Sequence, residues 1–145
     1  MMIETLSAKE TFMIGRDLGK RALRGEVYCL RGDLGVGKTV FTQGFARGLG
    51  ITEPISSPTF TILQEYETGR LPFYHFDVYR ISDSEEMLEI GFEDYIDGDG
   101  VCLIEWADLI EDILPEKFNT IIIEKNLKKD LNYRRITIKR NEGLS

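Results

Sequence analysis

The stretch Gly32-Asp33-Leu34-Gly35-Val36-Gly37-Lys38-Thr39 fits the spacing G-x-x-x-x-G-K-[ST]. That pattern belongs to a loop that wraps phosphate groups between a strand and a helix. The glycines permit positive φ and a bare backbone, so successive N–H groups turn towards one anion. A helix starting at Lys38 would aim its unpaired N–H groups and partial positive charge at the same point. Lys38 would reach the β- and γ-phosphates, and the Thr39 hydroxyl would ligate Mg²⁺.

Two acids could complete such a site. Val101-Cys102-Leu103-Ile104 is an apolar run that stops abruptly at Glu105. A buried strand ending in a carboxylate is how a Walker B strand delivers an acid to Mg²⁺. Asp77 ends the alternating run Phe73-Tyr74-His75-Phe76-Asp77-Val78-Tyr79-Arg80, in which His75, Asp77 and Tyr79 share one face. A carboxylate among apolar neighbours needs a cation, a metal-bound water or a hydroxyl as partner. The single histidine, His75, receives no role from pattern alone. Thr59 and Thr61 lie on one face of an extended chain after Pro58, and pattern alone reads them as strand threonines.

These residues need elements to position them. Val27-Tyr28-Cys29-Leu30 reads as the strand before the loop, and Val40, Phe41, Phe45 and Leu49 fall on one side of the helix after it. Ser7 and Glu10 form a capping pattern for a first helix running to Leu23, with Phe12, Leu18 and Ala22 on its buried face. Thr68-Gly69-Arg70 reads as a hairpin turn joining Thr61–Tyr66 to Leu71–Tyr79. Asp83 opens a short helix, Phe92 to Ile96 continues as a helical piece, and Asp108 is placed to cap another over Leu109–Leu114. Asp97-Gly98-Asp99-Gly100 is a turn that lacks the closing Glu of a calcium loop. Thr120–Glu124 reads as a buried strand and Arg135–Lys139 as an edge strand. The expected fold is a single α/β domain over residues 1–145, a P-loop NTPase-like three-layer sandwich whose mixed central sheet contains an antiparallel hairpin.

Composition sets outer bounds. The 145 residues, 42% hydrophobic and 30% charged, suit one soluble domain. No signal peptide and no apolar run of membrane-spanning length are found, so a cytoplasmic location with no membrane partner is expected. Cys29 and Cys102 fall inside apolar strands and read as inert reduced thiols. The net charge of −7 is unevenly spread: Asp83 to Asp99 holds eight acids without a base, while Lys125 to Arg140 holds seven bases and one acid. Either run is ordinarily a solvated face. The sharper alternatives are an acidic patch for a basic protein and a basic edge near phosphate or RNA. Overall acidity argues against a dedicated nucleic-acid binder.

Taken together, the loop at 32–39, Ser57-Pro58-Thr59-Phe60, His75-Phe76-Asp77-Val78-Tyr79-Arg80 and Ile104-Glu105-Trp106-Ala107-Asp108 resemble the TsaE (YjeE) family of small ATPases in bacterial tRNA threonylcarbamoyladenosine synthesis. The resemblance implies ATP and Mg²⁺ as cofactors, with Gly32, Asp33, Leu34, Gly35, Val36, Gly37, Lys38 and Thr39 around the phosphates. It implies Thr39 and Glu105 as the Mg²⁺ ligands and Thr59 in a switch-like segment. Asp77 matches an acid needed for activity, and Trp106 matches a Trp near the active site. Ser7 and Tyr133 fall where the family builds its base pocket. The implied partners are TsaD and TsaB, with adenosine-37 of tRNA reached indirectly through that complex.

Lys38, Asp77 and Glu105 are therefore the expected catalytic residues of a slow ATPase accelerated by its partners. Arg80, Arg134 and Arg135 are the internal candidates for an arginine finger. Two alternatives are a small kinase that passes the γ-phosphoryl to an acceptor and a nucleotide-gated binding module. The chain has little room for a kinase lid, and no Asn/Thr-Lys-x-Asp guanine code is present, which fits ATP.

Overall fold

The computed structural model describes residues 1–33, 35–55 and 61–143, with the side chains of 141–143 excepted. Leu34 and Thr59, both expected to touch nucleotide, lie outside the described residues.

Seven strands form one mixed sheet: β1 (Met2–Thr5), β2 (Val27–Arg31), β3 (Leu63–Tyr66), β4 (Phe73–Asp77), β5 (Val101–Glu105), β6 (Lys117–Lys125) and β7 (Arg134–Gly143), in the order β1-β7-β6-β2-β5-β4-β3. Strands β6, β2, β5 and β4 run parallel, as their near-continuous apolar sequences require for burial on both faces. The expected hairpin is β3–β4, which pair antiparallel. On the other flank β6 pairs antiparallel with β7, and β7 with β1. The expectation that Arg135–Lys139 forms an edge strand is thus corrected. Its alternation reflects a half-solvated face, while its outer hydrogen bonds are taken by Met2–Thr5.

Helices cover both faces. On one lie α1 (Ala8–Arg21) and α2 (Lys38–Gly48); on the other lie α3 (Ser84–Glu89), α4 (Phe92–Ile96) and a kinked 3-10 stretch over Ala107–Ile113. Strand alternation sorts the core accordingly. Tyr28, Leu30, Phe73, Leu103, Ile121 and Ile123 pack with Phe41, Phe45 and Leu49 of and after α2. Val27, Cys29, Phe76, Cys102 and Ile104 pack with Met87, Phe92 and Ile110.

The first helix buries Leu18 as expected, and Ala22 just past its end, but not Phe12. Phe12 is only half-buried, whereas Thr11, Gly15, Leu18 and Gly19 are enclosed. Helices α1 and α2 run side by side in the same direction, with their backbones in contact through Gly15, Gly19, Gly44 and Gly48. A Cβ on any of these four would lie 2.1–2.3 Å from a carbonyl oxygen of the facing helix. Ser7 caps α1 by accepting from the Glu10 N–H, and Glu10 reaches back to the N–H of Leu6. Asp108 does not cap the stretch that follows β5; Trp106 holds that place.

Candidate functional site

The carboxyl ends of β2, β5 and β4 lie side by side. Leu30 is in register with Glu105, and Glu105 with Asp77. The loop that leaves β2 turns there into α2, whose first residue is Lys38. One end of the parallel sheet therefore gathers Lys38, Asp77 and Glu105, where open α/β sheets place ligands.

Glycine serves the loop in two ways. Gly35 and Gly37 have φ of 75° and 105°, a region costly for residues with a side chain. Gly32 does not; there an added Cβ would meet Val36 Cγ1 at 2.7 Å and Ile123 O at 2.9 Å. The loop is braced from β7, since Arg134 Nε donates to the Val36 carbonyl at 2.7 Å. The same guanidinium donates to the Leu131 and Tyr133 carbonyls.

Lys38 and Glu105 are both buried, and Lys38 Nζ stands 3.8 Å from Glu105 Oε1. At an effective dielectric near 20 this attraction is on the order of 4 kcal/mol, offset by the desolvation of both charges. The ammonium also lies 4.4 Å from the centre of the Trp106 ring, which packs on Tyr79 at 4.8 Å. Trp106 has φ of 64°, the one positive-φ residue other than glycine among those described. Such a conformation costs about 1–3 kcal/mol and persists only where surroundings impose it. The other carboxylate oxygen, Glu105 Oε2, is 2.7 Å from Nε2 of the buried His75. Sequence reasoning left that histidine without a role. The signal was its place two residues before Asp77 on the same strand face.

Asp77 is half-buried, and its Oδ1 accepts from the N–H of Tyr79. Burial pushes its carboxyl above the ordinary value, the Tyr79 N–H draws it back, and the neighbouring Glu105 charge raises it again. Thr39 is exposed in the first turn of α2. Among the described residues no three His, Cys, Asp or Glu side chains converge as a ready-made metal cage. Thr39, Asp77 and Glu105 are all oxygen donors, the ligand type that Mg²⁺ takes beside waters and phosphate.

Two cavities flank the loop. One, of about 260 Å³, is lined by Leu30, Arg31, Gly32, Asp33, Trp106 and Lys38, with Asp108 at its side. The other, of about 220 Å³, lies between the loop and the start of α1, against Ser7, Thr11, Val36, Gly37, Asn132 and Arg134. Ser7 thus borders a cavity beside the loop. Tyr133 turns its hydroxyl to Glu4 Oε2 at 2.6 Å, and its neighbours Asn132 and Arg134 do the lining. Of the three candidate arginines, Arg134 is bound to backbone carbonyls, Arg135 to Glu124, and Arg80 is exposed in the turn after β4.

The family model for threonylcarbamoyl adenosine biosynthesis protein TsaE matches residues 5–136. The chain belongs to the TsaE family. The TsaE protein of Bacillus subtilis is 50% identical over 121 residues, 83% of this chain and 75% of that one. The TsaE protein of Treponema pallidum is 44% identical over 132 residues, 91% of this chain and 95% of that one. The crystal structure of Bacillus subtilis YdiB superposes with a TM-score of 0.80 at 41% identity, covering 98% of this chain and 86% of that one. No helix among the described residues is long and apolar enough to cross a membrane.

Proposed function

We propose that this TsaE-family chain is a Mg²⁺-dependent ATP hydrolase that acts in tRNA threonylcarbamoyladenosine biosynthesis, and that it does so on a TsaB–TsaD complex. The observation that carries the ATPase reading is the convergence of Lys38, Glu105 and Asp77 where the glycine loop enters α2.

The residues divide the work as follows. The amides of Gly35 to Thr39 and the α2 N-terminus hold the phosphates. Lys38 exchanges one anion for another, moving its ammonium from Glu105 to the phosphate oxygens. Thr39 and the released Glu105 carboxylate would hold Mg²⁺, which would supply charge neutralisation at the phosphoryl group. Asp77 orients the attacking water, and the burial that raises its carboxyl above the ordinary value favours its accepting a proton. The cavity bordered by Ser7 and Asn132 receives the nucleoside, and Trp106 closes the phosphate side. Of the candidate arginine fingers, Arg134 and Arg135 are held by other groups and Arg80 is exposed in the turn after β4, so turnover by the isolated chain is slow and rises when a partner docks.

The test is ATP turnover by the purified chain, alone and with TsaB–TsaD. Lys38→Ala should lose on the order of 100-fold or more. Glu105→Ala should keep ATP binding and lose turnover. A Lys38→Ala chain that hydrolyses ATP at the wild-type rate would remove the phosphate-loop reading. Equal turnover with and without TsaB–TsaD would remove partner activation and direct the search to phosphoryl acceptors.

A further inference from the structure

We infer that His75 is the positioning residue for Glu105: its Nε2–H pins one carboxylate oxygen so that the other is presented to the loop. This rests on the metal–nucleotide reading above. It concerns a residue to which neither the motif spacing nor that reading assigns a task.

The geometry is specific. His75 stands on β4 opposite Leu103, and Glu105 follows on β5 opposite Asp77, so both side chains rise from the same sheet face. His75 Nε2 and Glu105 Oε2 are 2.7 Å apart and buried. The carboxylate can only accept, so Nε2 carries the proton. Oε1 is left facing Lys38 Nζ at 3.8 Å. One oxygen is therefore fixed by the protein, and the other points where a phosphate-bound cation would sit. A carboxylate free to rotate would spread its charge over both directions and lose that aim.

A packing role alone explains the position poorly. The imidazole stacks on Phe73 with centroids 6.1 Å apart and ring planes 6° apart, a contact that phenylalanine would make equally well. Its Nδ1 is buried with no hydrogen-bond partner among the described residues, a cost an apolar ring would avoid. The chain bears that cost and gains a directed donor on Glu105. Partners of metal-holding carboxylates act in this way, and their loss commonly weakens metal affinity 10–100-fold.

The test uses the full chain. As the chain has one histidine, ¹⁵N-histidine labelling gives one ring signal. In metal-free protein it should show a protonated Nε2 and a slowly exchanging Nε2–H that is lost in Glu105→Ala. Mn²⁺ binding in the presence of ADP, followed by the free-ion EPR signal, should weaken 10–100-fold in His75→Phe. His75→Gln, whose Nε2 can occupy the imidazole Nε2 position, should recover binding to within a few-fold. Metal-free ADP binding should be unchanged in both. Wild-type Mn²⁺ affinity in His75→Phe, or no recovery in a folded His75→Gln, overturns the inference. An unprotonated Nε2 overturns it even if His75→Phe fails to fold. If the wild-type chain binds no Mn²⁺–ADP while the ring signal is as expected, the metal–nucleotide reading has failed, and the inference falls with it.

Discussion

Gly44→Ala sets two magnitudes of opposite sign against each other. Alanine in a helix interior is favoured over glycine by about 1 kcal/mol, so propensity alone forecasts a more stable protein. The structure forecasts the reverse. A Cβ on Gly44 would lie 2.1 Å from the Phe12 carbonyl oxygen, 2.9 Å from its carbon and 3.1 Å from the Arg16 nitrogen. These are backbone atoms inside α1, so no side chain can swing aside. Restoring ordinary contact separates the helices by roughly 1 Å, and overpacking of that kind costs typically 1–3 kcal/mol, occasionally more. With a backbone obstacle the upper part of that range applies, and the net loss is about 2 kcal/mol. For a domain of this size that lowers Tm by about 4–8 °C. Calorimetry and urea denaturation of wild type and Gly44→Ala measure it. Because α2 begins at Lys38, the same displacement should also lower ATP turnover. An unchanged or raised Tm would refute the view that α1 and α2 pack backbone to backbone, and with it the reason for four glycines on these two helices.

Other expectations are independent of that packing. Burial pushes the Cys102 thiol up to about 12 from an ordinary value of 9.0. A raised folded-state pKa gives stability that is complete below about pH 9 and lost as pH climbs towards 12, at about 1.4 kcal/mol per pH unit. Cys102→Ala should flatten the alkaline fall in unfolding free energy by that slope, and an unchanged slope between pH 9 and 11 would contradict it. Arg134→Ala removes the donor that braces the Val36 carbonyl; a charged hydrogen bond of about 1.5–3 kcal/mol corresponds to ADP binding weakened 10-fold or more by titration calorimetry. Arg134→Lys should fall between, and equal affinities across the three chains would show that the loop holds its shape unaided.

Much of this arrangement is written locally in the chain. The strand–loop–helix around Lys38, the apolar run ending at Glu105, and the alternation that puts His75 and Asp77 on one face are all short-range patterns, and the structure keeps each of them. What was not legible depends on distant contacts. Met2–Thr5 carries no strand pattern strong enough to stand alone; it becomes a strand because β7 offers a free edge. Gly15 and Gly19 look like helix-weakening residues until Gly44 and Gly48 face them. Trp106 displaces Asp108 as helix cap because the chain must turn sharply after Glu105, and no propensity forecasts tryptophan at φ of 64°. Arg134 reads as a free cation in a basic stretch, and only the fold brings it to Val36.

The two ends of the same strands differ in a way that separates stability from function. At the amino end of β2, Glu26 has both carboxylate oxygens satisfied. Oε1 accepts from Leu23 N–H and the Tyr28 hydroxyl, and Oε2 from Asn119 and Arg140. At the carboxyl end, Lys38 and Glu105 are buried at 3.8 Å, longer than a hydrogen bond, His75 Nδ1 has no partner among the described residues, Asp77 is held above its ordinary pKa, and Trp106 is strained. Each of these disfavours the folded state by itself, and folding alone would select against finding them within a few residues of one another. An anion on Lys38 and a cation on Glu105 would give each member of that 3.8 Å pair a closer partner. A ligand of that kind binds the folded state alone, so it should raise Tm with concentration. The rise should require Lys38, its metal-dependent part should also require Glu105, and substitutions around Glu26 should lower Tm without touching it.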